Sequence, residues 1–430
     1  MHTTIAMILA GGRVAELSVL TERRAKAAVI FGGRYRTVDF ALTNLANAGI
    51  GRVGILAQYR PSSLVDHVGV GLAWDLVGTN RAVRFLSPYM GPDRGEWYRG
   101  PADALYQNID FIQNNTPDDV LLVSGDHVSS MDYQPLLNFH RERSADFTMA
   151  FKPIDDNPSR FGIGELNSVG QIVNFTEKPQ FPRTNLAAIG VYLFKRQVLL
   201  DELYRMKSGR NEVGTFHLYE IIQRMIPRRS AYGWIFHGEW YYTRTLDEYF
   251  HFHQNLLGPE PDIHLTDWQV RSSPIAIGVS SSPPTHYLPG AQVEDSYVCA
   301  GCVVAGKVKN SVLSPGVRIE KDAVVNNSIL WDNVLVKEGA NLDTVISDKR
   351  TVFGKKARIG IGENKPSDEM PQSLTCGASV FGMDVVVPDE AIIGRNCIIH
   401  PEVGKDDLTG SVQSGRSVLK KQPTDSEVSS

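Results

Sequence analysis

LSPGVRIEKDAVVNNSILWDNVLVKEGANL, residues 313–342, carries aliphatic side chains at Leu313, Ile319, Val325, Leu330, Val336 and Leu342, separated by 6, 6, 5, 6 and 6 residues. The interval is too long for strand alternation and cannot hold one face of an α-helix. Short strands joined by turns around a solenoid place one inward aliphatic residue at every sixth position, so each coil stacks on its predecessor. VVVPDEAIIGRNCIIHPEVG (385–404) resumes the pattern after an insertion around IGENKPSDEMPQSL (361–374). The spacing predicts a β-helix over residues 291–403, followed by a flexible Ser-, Lys-, Asp- and Gln-rich tail at 404–430.

Working outward, the chain of 430 residues exceeds the size at which one core stops growing, so two domains are expected. Forty-four Lys and Arg against 48 Asp and Glu leave a net charge of −4, which gives no broad basic footprint for nucleic acid. Four cysteines, all in the last third, make no disulfide framework, and the small or apolar neighbours of Cys299 and Cys302 suit buried thiols better than zinc ligands. The N-terminal stretch has no secretory-signal pattern and no segment approaches the ~20 apolar residues of a membrane span. A cytoplasmic protein without membrane association is the expectation.

Residues 1–255 alternate strand and helix. Ile5–Leu9, Val53–Ala57, VLLVSG (120–125), FTMAF (147–151), QIVNF (171–175) and AAIGVYLF (187–194) read as strands. Helices are expected after Asp39 with an exit at Gly49, across ALYQNIDFIQNN (104–115), and in FHLYEIIQRMIP (216–227). The alternation favours a largely parallel sheet with ligands at the carboxyl ends of its strands. GPEPD and SSPP mark a connector at 256–290.

Gly11 and Gly12 follow the first strand, where small residues let exposed amides approach phosphate oxygens. Arg23, Arg24, Lys26, Arg34 and Arg36 cluster soon after, suiting a phosphate, a phosphosugar or an anionic regulator. Asp126, at the end of an apolar strand and a glycine, is the best carboxylate for a hard cation such as magnesium. His127 beside it reads as a structural or hydrogen-bonding residue.

The ordered set LAGG, RRAKAAVIFGGRYR, DFALTN, WYRGPADALYQNID, SGDH, FTEKP and AAIGVYLF, followed by the six-residue repeat, resembles the bacterial glucose-1-phosphate adenylyltransferase (ADP-glucose pyrophosphorylase) family over about residues 4–400. The resemblance implies an α/β, Rossmann-like sugar-nucleotidyltransferase domain followed by a left-handed parallel β-helix. It further implies use of ATP, Mg2+ and glucose 1-phosphate to make ADP-glucose for glycogen or a related α-glucan. Within that pattern Gly11, Gly12, Gln58 and Tyr98 would meet the nucleotide, and Asp126 would hold magnesium. Lys26 would act with Asp126 in catalysis, Glu177 and Lys178 would meet the sugar phosphate, and Arg23, with Arg34, Arg36 and Arg52, would form a regulatory anion surface. A homotetramer, or a hetero-oligomer with a catalytic paralog, is the expected assembly.

The same resemblance exposes departures. GGRVAEL places Val14 at a loop glycine and Glu16 at an arginine expected to face phosphates; EWYYTRT places Tyr242 at a second metal-binding aspartate and Arg244 at a glycine. Ala27, Ala188 and His217-Leu218-Tyr219 also differ from the pattern. Tyrosine, with a usual pKa near 10, offers magnesium no equivalent anionic oxygen at neutral pH. The expectation is therefore a weakly active or regulatory family member. The alternatives are a fully active enzyme with altered ligands and a non-catalytic structural partner.

Overall fold

The computed structural model describes residues 2–12, 14–88, 97–208, 215–273 and 282–421. It divides into two compact units, Met1–Gly12 with Val38–Tyr241, and Arg13–Thr37 with Tyr242–Ser430. The first domain expected at 1–255 therefore gives up an internal segment, Arg13–Thr37, to the unit that contains the β-helix.

In the first unit the strands Ala82–Leu86, Arg52–Leu56, Thr4–Leu9 and Asp119–Ser124 lie side by side, all parallel. The central residues of the last three are buried, as continuous apolar runs require when helices cover both faces, whereas the edge strand Ala82–Leu86 has no buried residue. The sheet then turns mixed. Leu186–Lys195 runs antiparallel to Asp119–Ser124, and Gly162–Leu166 with Ile172–Glu177 completes one edge as an antiparallel pair. Phe147, Met149, Phe151, Phe175 and Phe194 form the core beneath this half, packed on the Arg196–Ser208 and Leu218–Met225 helices.

Two local expectations need correction. ALYQNIDFIQNN is two helices, Pro101–Gln107 and Ile109–Asn115, because Asn108 leaves helical geometry and its amide bonds the Ala104 carbonyl and the Tyr98 hydroxyl. Asp39 lies inside the first turn of Thr37–Asn47 rather than capping it; it is fully buried and meets His67 at 2.6 Å.

In the second unit short parallel strands stack into three sheets, as in Val303–Val304, Arg318–Ile319, Leu335–Val336 and Val352–Phe353 along one of them. Leu313, Ile319, Val325, Leu330, Val336 and Leu342 are all at most 1% exposed, so the six-residue spacing is the core of the solenoid. Asn310, Asn327, Asn333 and Asn396 take positive φ at its corners, a conformation asparagine tolerates. The coils extend past residue 404. Ser411–Val412 and Ser417–Val418 add to two of the sheets where a flexible tail was expected, since backbone pairing satisfies a polar stretch as well as an apolar one. Residues 274–281 of the connector and 422–430 of the tail lie outside the described residues. Among the described residues no helix is long and apolar enough to cross a membrane.

The Arg13–Thr37 segment packs Leu17, Val19, Leu20, Val29 and Ile30 against Leu246, Tyr249, Trp331, Ile346 and Val380. Its strands Ile30–Phe31 and Tyr35–Arg36 turn at Gly32 and Gly33, both with positive φ; a Cβ on Gly33 would sit 3.0 Å from the Cys299 sulfur. Arg24, 1% exposed, forks onto Asp348 through bonds of 2.7 and 2.9 Å and lies 4.9 Å from the Trp331 ring centre. Tyr249 donates to the Ile30 carbonyl and accepts from the Trp331 indole. Further along, His400 bridges Glu22 at 2.9 Å and Glu369 at 3.1 Å. The four cysteines are free thiols.

Removing one member of a buried pair strands the other charge, which costs about 3–5 kcal/mol. Asp348→Ala should lose stability on that scale in denaturant unfolding, whereas Arg24→Met with Asp348→Leu should recover most of it; an Asp348→Ala loss under about 1 kcal/mol would show that Arg24 is not held by this contact.

Burial opposes protonation of His400, but its hydrogen bonds to Glu22 and Glu369 push it up to about 9 from the usual 6.5. A raised folded value means the contact contributes fully at and below pH 6.5 and fades as pH climbs through about 9. Melting temperature should accordingly fall more steeply between pH 7 and pH 10 in the parent than in His400→Gln. Parallel curves would contradict it.

Candidate nucleotide and sugar-phosphate site

The carboxyl ends of Thr4–Leu9 and Asp119–Ser124 lie next to each other in the sheet, the edge where open α/β folds bind ligands. Gly125 donates to the Leu9 carbonyl, so the loops carrying Gly11 and Asp126 leave from one place. Gly11 runs beside the Leu56–Gln58 backbone, and its carbonyl accepts from the Tyr59 amide. A Cβ on Gly12 would meet nothing within 4 Å, leaving open space beside that part of the loop.

Gln58 and Tyr98 are brought together. The Gln58 amide donates to the Tyr98 carbonyl at 3.3 Å and its oxygen accepts from the Tyr98 amide. The Tyr98 ring is 9% exposed, and its hydroxyl donates to Leu86 and accepts from Asn108. The surrounding WYRGPAD turn is fixed by Asp103, whose buried carboxylate accepts from the Arg99 amide and the Gln107 side chain.

Asp126 accepts from the Ser124 hydroxyl, and His127 Nε2 stands 3.5 Å from the same carboxylate oxygen. On its other side, His127 Nδ1 lies 3.1 Å from the Ile189 carbonyl and receives the Trp240 indole N–H at 3.2 Å. The imidazole fits because the Leu186–Lys195 strand breaks register between Ala188 and Tyr192. There Gly190 takes φ +69°, and a Cβ would approach His127 to 2.7 Å. Trp240 also meets the Phe161 ring at 5.6 Å between centroids, and the Phe161 carbonyl accepts from the Lys178 amide. Glu177 and Lys178 stand 4.0 Å apart, with Lys178 at φ +46°. Asp126, His127, Trp240, Phe161 and Lys178 are thus linked through successive contacts at one sheet edge.

Lys26, Arg23, Arg34 and Arg36 belong to the other unit, and Arg52 to the first. Lys26 is 3% exposed, with its ammonium 3.9 Å from the centre of the Tyr242 ring. Beside Tyr242 in sequence, Arg244 donates to Glu16 through Nε at 2.9 Å and Nη2 at 2.7 Å. Burial works against the Arg244 charge, but its hydrogen bonds to Glu16 and the charges of Glu16, Tyr242 and Glu248 together hold it above the usual arginine value. Glu248 holds the Arg244 and Thr245 amides, completing a capping box that starts the Leu246–Gln254 helix.

Arg23 pairs with Glu402 at 2.6 Å, and Arg34 lies 5.4 Å from the Tyr35 ring centre. Arg36 is buried, donating to the Ala28 carbonyl and approaching Asp332, which also binds Lys349 at 2.6 Å. Burial, then the nearby Arg36 charge, depresses Lys349 to about 8. Arg52 donates to Asn115 at 2.6 Å.

Sequence reasoning missed Ser124, Trp240 and the bulge at Gly190, although SGDH and AAIGVYLF contain two of the three. It singled out Glu16 and Arg244 as separate departures; that they bind each other was signalled only by their opposite signs. Among the described residues no cluster of three or more His, Cys, Asp and Glu side chains is placed to hold a metal ion. Asp126 alone suits magnesium as one oxygen ligand among waters and substrate phosphates.

Residues 5–258 match the nucleotidyl transferase family, and residues 287–380 match the GlmU-like C-terminal hexapeptide family, the repeat of left-handed parallel β-helices. Glucose-1-phosphate adenylyltransferase of Acetivibrio thermocellus is 37% identical over 98% of this chain and 99% of its own. The same-named protein of Thermomicrobium roseum is 41% identical over 97% of this chain and 98% of its own. That of Thermotoga maritima is 38% identical over 98% of this chain and its own full length. With both halves matched and the likeness running nearly end to end, the chain belongs to the glucose-1-phosphate adenylyltransferase family.

Proposed function

We propose that the chain is a subunit for ADP-glucose formation that binds ATP and glucose 1-phosphate but turns them over weakly, and that it serves mainly a regulatory role. The reading is carried by the Glu16–Arg244 pair. Nucleotidyl transfer needs no protein nucleophile; its rate comes from positioning two phosphorus-bearing substrates and neutralising the charge that leaves as pyrophosphate. Arg244 adds a cation beside Tyr242, but Glu16 occupies it, so the pair has no net charge to offer a polyphosphate. Lys26 turns its ammonium onto the Tyr242 ring, a contact that holds the side chain without cancelling its charge. Loss of one preorganised charge-stabilising donor costs about 10²–10³ in rate.

Binding residues are retained. Gly11, Gly12, Gln58 and Tyr98 serve the nucleotide, Glu177 and Lys178 the sugar phosphate, and Asp126 a magnesium ion that neutralises phosphate charge when bound. Of the four arginines expected at a regulatory anion surface, the exposed Arg23 and Arg34 supply the contacts; Arg36 is buried against the Ala28 carbonyl and Asp332, and Arg52 belongs to the other unit. The subunit assembles as a homotetramer or with a catalytic paralog, in the cytoplasm. The retained nucleotide and sugar-phosphate residues favour a second reading, a fully active enzyme with altered ligands.

Restoring the family pattern separates these readings. Glu16→Arg with Arg244→Gly exchanges the neutral pair for one cation, and Tyr242→Asp supplies a second carboxylate while releasing Lys26. The triple variant should form pyrophosphate and ADP-glucose about 10²-fold faster than the parent, and Glu16→Arg alone should gain little because it opposes two guanidiniums. A restored variant no faster than its parent, with its fold intact, would sink the weakened-centre reading.

For the anion surface, calorimetry with inorganic phosphate should show saturable binding that weakens in Arg23→Ala. Uniform screening by every salt would instead mark a solvated basic face.

A further inference from the structure

The antiparallel pair Gly162–Leu166 and Ile172–Glu177 has two unlike faces. One holds Phe175 in the core and turns Glu177 toward Gly162; there Gly164 leaves room for the Phe151 ring. The opposite face, set by the register pairs Ile163 with Thr176 and Glu165 with Asn174, forms the floor of a 190 Å³ cavity. The segment that follows Lys178 closes it with Pro179, Phe181 and Arg183. None of these lining residues enters the nucleotide or sugar-phosphate reading above.

We propose that this cavity is a binding site for a neutral carbohydrate, separate from the sugar-phosphate contact at Glu177 and Lys178. Phe181 is 82% exposed at its rim, an apolar ring held out in water beside polar groups. A pyranose suits such a wall because it has both a C–H face, which packs on the electron-rich face of an aromatic ring, and an edge of adjacent hydroxyls. Glu165 and Asn174 are already bonded to each other at 2.7 Å, fixing a carboxylate and an amide side by side as paired acceptors and donors for neighbouring hydroxyls. Thr176 adds a hydroxyl, and Ile163 and Pro179 an apolar base.

Charge decides the ligand class. One carboxylate, Glu165, and one guanidinium, Arg183, leave the wall neutral, so a phosphate entering it meets repulsion as well as attraction. A wholly apolar ligand would strip water from four polar side chains and return no hydrogen bonds. Size points the same way, since 190 Å³ is below the roughly 300–1,000 Å³ that holds drug-sized ligands and suits one sugar ring with the rest of an oligosaccharide outside. Because Phe181 and Arg183 follow Lys178 within five residues, a sugar seated here grips the same loop.

The test is ligand-observed NMR and calorimetry on the full chain with maltotriose, cellotriose and inorganic phosphate as separate probes. Saturable binding of a neutral oligosaccharide is expected, weakened at least tenfold by Phe181→Ala and by Asn174→Ala, and unchanged in Lys178→Ala. The Lys178→Ala variant should lose glucose 1-phosphate binding instead, so failure of the sugar-phosphate reading and failure of this one are distinct results. Phe181 is exposed, so its truncation leaves the fold intact, which circular dichroism verifies. No saturable binding by either oligosaccharide, binding indifferent to Phe181→Ala, or phosphate binding lost in Arg183→Ala would each overturn the proposal.

Discussion

Arg24 and Asp348 are 324 residues apart in sequence and both essentially inaccessible to water, yet they form a two-point ion pair that fastens Arg13–Thr37 onto the β-helix. A buried charge tolerates no partner but a well-placed opposite charge, so the pair fixes register as well as attachment. The fastened segment carries Glu16, Arg23, Lys26 and Arg36. Their surroundings are therefore set by the solenoid and by the stretch that leads into the Leu246–Gln254 helix: Glu16 meets Arg244, Arg23 meets Glu402, and Lys26 meets Tyr242. The placement of residues 13–37 thus depends on contacts with the rest of the second unit.

Much of the fold was legible because its signals are local. Aliphatic residues five or six apart announce coils directly, and apolar runs such as Ile5–Leu9 announce strands buried on both faces. What escaped was non-local. Nothing within residues 13–37 announces that they leave one unit for the other, since their partners lie more than 200 positions away. The paired strands at 411–418 escaped for a related reason: polar side chains hide a backbone that finds its partners in the preceding coil.

The site divides along the same line. Gly11, Gly12, Gln58, Tyr98, Asp126, Glu177 and Lys178 sit in recognisable short motifs; in the first unit all but Tyr98 lie at or just past strand ends, and Tyr98 is bonded to Gln58. Trp240 could be found only through its bond to His127, across 113 positions. The coupling of Glu16 to Arg244 changes how the departures read. Taken singly, Glu16 repels a polyphosphate and Arg244 attracts it; bound together, their charges largely cancel.

Charge cancellation at these positions is most directly tested by the steady-state rate of ADP-glucose formation by the purified parent chain with saturating ATP, magnesium and glucose 1-phosphate. Loss of about 10² in rate from the low end of ordinary enzyme turnover, roughly 1–10³ s⁻¹, predicts a value near or below ~0.01 s⁻¹. A parent turnover inside the ordinary range would contradict it and would mean that other residues supply the charge that Glu16 and Tyr242 do not.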